Sequence, residues 1–64
     1  MTMGERIRYY RKLKGLTQND VAIEVGLKPA AISKYEKNLR EPKPKVLRIM
    51  ADLFETTVDN IVGR

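Results

Sequence analysis

The chain has 64 residues, with 13 Lys and Arg against 8 Asp and Glu, a net charge of +5, and neither Cys nor His. A chain of this length is expected to form one domain, residues 1–64, and to bury only about 60% of the surface its unfolded form exposes, so its core must be lean. Without Cys there is no disulfide framework or thiolate site; without His the usual zinc ligand sets and the commonest general base are missing, so no enzyme, metal or cofactor is expected.

No apolar run approaches the roughly 20 residues of a membrane span. Glu5, Arg6 and Arg8 stand where a signal peptide would carry its apolar core. The expected location is the cytoplasm, with no membrane contact and no evident small-molecule site.

In chain order, a first helix starts at Thr2 or Gly4, with Glu5 in its first turn favouring the positive dipole end. Met3, Ile7, Tyr10 and Leu13 form its inward stripe, Arg6, Arg8, Lys12 and Lys14 stay outside, and Lys14-Gly15 ends it. Thr17 with Asp20 three positions on is a capping box, so a second helix begins at Gln18. Val21, Ala22 and Val25 recur at one-turn spacing before Gly26 stops this helix, and Leu27 follows as an apolar plug. Lys28-Pro29 restarts the chain as a third helix, because proline suits the first helical position. Ile32, Tyr35 and Leu39 are expected inside, with Ala31, Ser33, Lys34 and Lys37 outside. Asn38 is suited to a left-handed helix end.

Pro42 and Pro44 make the next stretch a turn or extended loop. A fourth helix runs from Pro44 or Lys45 to Phe54, with Val46, Leu47, Ile49, Met50, Leu53 and Phe54 as the densest apolar cluster. A last short helix, capped by Thr57 with Asn60 three later, buries Val58, Ile61 and Val62 and ends at Gly63. The fold class is therefore all-α with five helices, without repeats or low-complexity tracts.

Two short helices joined by a turn containing Gly make a helix-turn-helix, whose second helix enters the DNA major groove. The charge distribution agrees. Seven bases and two acids lie between Lys28 and Arg48, an excess equal to the whole net charge of +5, while Ile49 to Gly63 carries only acids. A basic segment on the recognition helix and the loop after it is the footprint expected for phosphate. On the outward face of this helix Lys34 can donate to guanine N7 and O6 and Ser33 can serve several partners. Lys28 is the other candidate base reader, whereas Pro29, Ala30 and Ala31 offer no polar group and alanine can touch only a thymine methyl. Lys37, Asn38, Arg40, Lys43 and Lys45 are expected on the DNA backbone, with one of the last two leaning into the minor groove.

Leu16-Thr17-Gln18, Val21-Ala22, Val25-Gly26, Ile32-Ser33, Tyr35-Glu36, Arg40 and Pro42 together resemble the Cro and C1-type (XRE-like) repressor domains of phages and bacteria. The resemblance runs from about Gly4 to Gly63 and implies a compact lambda-repressor-like fold. It further implies a pair between Arg11 and Glu36 that fixes the angle between first and third helices, and a backbone phosphate at Gln18. A dimer on a palindromic operator is implied as well, with Leu39, Thr57, Val58 and Val62 as candidate contacts. Where relatives begin the recognition helix with Gln or Ser, this chain has Lys28-Pro29-Ala30, so direct readout is expected to be thin. The function expected is operator binding by a transcriptional regulator that represses by occluding a promoter. Two other readings stay open on the residues: a sequence-independent nucleic-acid binder, favoured by the alanines, and an antitoxin-like or adaptor module on the same fold, favoured by the acidic C-terminal segment.

Overall fold

The computed structural model describes all 64 residues as five helices: α1 (Met3–Leu13), α2 (Gln18–Val25), α3 (Pro29–Glu36), α4 (Pro44–Phe54) and α5 (Val58–Val62). Their starts follow from local chemistry. Thr2 caps α1 and Thr17 caps α2, each in a capping box with the acid three residues later, Glu5 or Asp20. Thr57 accepts from the Asn60 amide at the start of α5. α3 and α4 instead begin with Pro29 and Pro44 and carry no side-chain cap. Their stops share one device, a left-handed residue just past the helix: one position beyond it at Gly26, Glu55 and Gly63, and two positions beyond it at Gly15 and Asn38. Glu55 is the member without a sequence signal. As a non-glycine with φ +56° it is strained, and it reaches Lys14 at 3.2 Å on the surface.

α3 packs between α1 and α2, α2 also rests on α4, and α5 closes the far side against α1 and α4. The core consists of Ile7, Val21, Ala22, Ala31, Ile32, Tyr35, Leu47, Met50, Ala51, Phe54 and Ile61. No helix is long and apolar enough to cross a membrane.

Several inward assignments need correction. Leu13 is 64% exposed, because it lies about 240° round α1 from Ile7; the inward position one turn after Ile7 is Arg11. Ala31 is buried rather than outward, since it stands four residues before Tyr35 and shares that face. Leu39 is 72% exposed: the left-handed turn at Asn38 ends the helical count that would have carried it inward. Leu27 is only partly covered and does not plug the core. Pro42, expected merely to break structure, is buried.

Candidate nucleic-acid interface

The outward face of α3 begins with Lys28, Pro29 and Ala30, all exposed, and continues through half-buried Ser33 to exposed Lys34 and Lys37. Lys28 is the N-cap residue, but its ammonium cannot cap, so it stays free for an outside acceptor. Ala31 drops out of this face because it belongs to the core. The loop after α3 adds exposed Arg40 and Lys43, and the first turn of α4 adds exposed Lys45. Arg40 leans back so that its guanidinium lies 6.0 Å from the centroid of the Tyr35 ring.

Beside α3, the start of α2 presents a second polar feature. Thr17 N–H donates to Asp20 at 2.8 Å and Asp20 N–H to the Thr17 hydroxyl at 3.0 Å, which leaves the amides of Gln18 and Asn19 for an outside acceptor. The Asp20 carboxyl is held below its ordinary 3.8 by the Thr17 backbone amide and then by the hydroxyl. Glu5 is held below 4.5 by the same arrangement at Thr2. The Gln18 side chain is not free: its amide donates to Glu36 Oε1 at 3.2 Å.

Glu36 is the acceptor for α1 as well. Arg11 Nε lies 2.6 Å from Glu36 Oε2 and Arg11 Nη2 3.1 Å from Oε1, a two-pronged pair, while Arg11 Nη1 donates to the Leu16 carbonyl at 2.8 Å. Both residues are buried, and every buried polar side-chain atom has a partner. One pair thus ties α1, the turn before α2, and α3 together.

Asn38 has internal partners that the sequence does not suggest. Its Oδ1 accepts from the Gly4 backbone amide and its Nδ2 donates to the Thr2 hydroxyl, both at 2.9 Å. Its Oδ1 and one Nδ2 N–H are therefore committed inside the protein, clamping the start of α1 to the end of α3, while the exposed residue keeps its second N–H. These partners are 34 and 36 residues away, and no local pattern in the sequence announces them.

Of the candidate dimer contacts, Val58 and Val62 come together with Met3, Pro42, Pro44 and Leu47 in an open groove rimmed by Lys43, Arg48 and Arg64. Leu39 lines a neighbouring depression that shares Met3 and Glu41 with it. The Thr57 hydroxyl is occupied by its capping role. No group of three or more metal-ligating side chains converges anywhere.

Comparison with known proteins gives this geometry its relatives. A helix-turn-helix family model matches residues 7–61. The HTH-type transcriptional regulator AnsR of Bacillus subtilis is 33% identical over 94% of this chain and 52% of its own length. YazB, another HTH-type transcriptional regulator of that organism, is 33% identical over 91% of this chain and 84% of its own. The P22 c2 repressor in complex with synthetic operator 9T superimposes with a TM-score of 0.91 and 31% identity, covering 97% of this chain and 94% of the repressor chain. The chain spans about half the length of some of the curated relatives it matches. With the helix order, the capped turn and the basic outward face of α3 all in place, the chain belongs to the Cro/C1-type helix-turn-helix family.

Proposed function

We propose that this chain binds double-stranded DNA as a transcriptional regulator, with α3 in the major groove and the start of α2 on the phosphate backbone. The observation that carries the reading is the exposed face of α3 and its following loop. With the first turns of α4 included, the stretch from Lys28 to Arg48 holds the entire charge excess of +5, and α3 lies next to the start of α2 with the free amides of Gln18 and Asn19. Lys34, Lys28 and Ser33 read base edges, Pro29 and Ala30 make apolar contact, and Lys37, Arg40, Lys43 and Lys45 hold phosphates. The relatives in the comparison are named as transcriptional regulators and a repressor on its operator, which supports the reading.

A single α3 makes few base contacts, so specific binding at genomic scale calls for a dimer on two half-sites about one helical turn apart. The groove holding Val58 and Val62, with exposed Leu39 beside it, supplies apolar surface for a second copy. Repression follows by occluding a promoter, in the cytoplasm and without catalysis or cofactor. A sequence-independent binder is the second reading, favoured by Pro29 and Ala30, which have no side-chain hydrogen-bonding group at the start of α3.

Selection of bound duplexes from a random pool at about 150 mM salt, where long-range attraction is screened, tests the two readings. A palindromic winner at least about a thousandfold tighter than scrambled DNA is expected for an operator-binding dimer. Uniform affinity across sequences would favour the second reading.

A further inference from the structure

The ion pair joining α1 to α3 has a third member on α2. Glu36 Oε1 receives both Arg11 Nη2, at 3.1 Å, and the Gln18 amide, at 3.2 Å. The Gln18 side chain therefore uses one of its two N–H groups internally, and the other diverges from it by about 120° in the amide plane. An exposed glutamine would have to give up its rotamer freedom on meeting a phosphate; here part of that ordering is complete before DNA arrives.

The charges around Gln18 explain why such placement matters. Asp20 already occupies the positive end of α2 through Thr17, so the helix start alone has less attraction left for an anion and a directed donor counts for more. A buried carboxylate at Glu36 would repel a nearby phosphate if it stood alone. The two-pronged contact from Arg11 balances it.

We infer that Arg11 and Glu36 are positioning residues for DNA binding: the pair holds the Gln18 side-chain amide in the pose that donates to a backbone phosphate. The inference rests on the DNA reading above and gives the pair a task beyond setting a helix angle.

A double-mutant cycle on the full chain tests it, using the selected duplex at fixed salt, or a random duplex at low salt where selection yields no winner. Gln18→Ala is expected to lower affinity about tenfold, as for a lost hydrogen bond to a charged group. The background Arg11→Met with Glu36→Leu replaces both buried charges by apolar side chains and leaves no lone charge. In that background Gln18→Ala should cost less than about twofold, because the two sites are coupled. Lys43→Ala should cost the same in both backgrounds. Should the paired background not fold, side-chain relaxation of Gln18 in the unaltered, DNA-free protein decides. An amide held by Glu36 gives an order parameter approaching that of the rigid backbone, about 0.85, whereas a free one falls below about 0.6. Equal cost of Gln18→Ala in both backgrounds, or a mobile Gln18 amide, would overturn the positioning role while leaving DNA binding intact. A wild-type chain that binds no duplex at any salt overturns the DNA reading, and this inference with it.

Discussion

Gly4→Ala puts two opposing effects in competition at one position. Gly4 lies in the first turn of α1, where alanine is the better helix former by at most about 1 kcal/mol. A Cβ there would sit 2.5 Å from the carbonyl oxygens of Tyr35 and Glu36 and 2.8 Å from Asn38 Oδ1, whereas ordinary contact begins at 3.4 Å. Two of these neighbours are backbone, so the start of α1 must lift away from the end of α3. That movement opens both Asn38 hydrogen bonds, each worth about 1 kcal/mol net, and adds an overpacking cost of about 1–3 kcal/mol. The balance is a loss of about 2–4 kcal/mol, large against the roughly 3–10 kcal/mol total expected for a domain of this size. Thermal unfolding followed by helical circular dichroism should show the midpoint lowered by about 8–30 °C. An unchanged or raised midpoint would mean that helix propensity dominates and that the close approach is not restrictive. Gly15→Ala is the control: at φ +69° with nothing near its Cβ, it loses only the backbone term of about 1–2 kcal/mol.

Asn38→Gly relieves a φ of +59° yet deletes the clamp on Thr2 and Gly4, so urea unfolding should show a net loss of about 1 kcal/mol; a gain would show that backbone strain outweighs the clamp. Asp20 and Glu5 have lowered carboxyl pKa values in the folded state, so the unfolded chain binds protons more readily there. Their contribution is present above the ordinary values of 3.8 and 4.5 and is lost as pH falls through the folded ones; Thr17→Ala and Thr2→Ala should flatten this acid limb in a pH series of melting curves. On DNA, Lys34→Ala is expected to relax base preference, whereas Lys43→Ala should weaken all sequences alike, as read by titrating a panel of duplexes. With Lys37, Arg40, Lys43 and Lys45 each on one phosphate, the logarithmic salt slope should be about −3.6 per protomer, and Lys43→Ala should reduce its magnitude by about 0.9.

Most of the helix boundaries were legible because they rest on local chemistry. Thr17 with Asp20, Pro29, Gly26 and Gly63 act within one turn of where they stand, so their meaning survives without knowledge of the rest of the chain. Glu55 was not legible as a left-handed stop, since nothing in its side chain favours that conformation. Inward faces were read well where an apolar residue had no polar competitor, as for Val21, Ala22, Ile32 and Tyr35. They were misread on α1, where the inward position goes to Arg11 and the apolar Leu13 faces out. Hydropathy alone assigns that turn wrongly, because a charge fully answered by Glu36 can occupy a core position. At the site, exposure of the lysines followed from the spacing of α3. The internal commitments of Asn38 and Gln18 did not, since they depend on partners brought close only by the packing of α1, α2 and α3.

The same division bears on what carries over from relatives at about 27–33% identity. Residues that turn inward or cap a helix are constrained by packing and by unsatisfied amides, so Val21, Ala22, Ile32, Glu36 and Thr17 answer to the fold. The outward residues of α3 are free of that constraint and, on the proposed reading, answer to the bases they meet. Here several polar side chains beside α3 are partly committed internally: Asn38 holds α1, and Gln18, Glu36 and Arg11 hold one another. Pro29 and Ala30 add none, so on the proposed reading Lys28, Lys34 and Ser33 are left to read base edges. Lysine is a compact charge on a flexible stem and lacks the forked geometry that fixes one base. Discrimination by such residues depends on the local potential and width of the groove as much as on hydrogen-bond pattern, so under the proposed function sequence-dependent DNA shape supplies part of the target's identity.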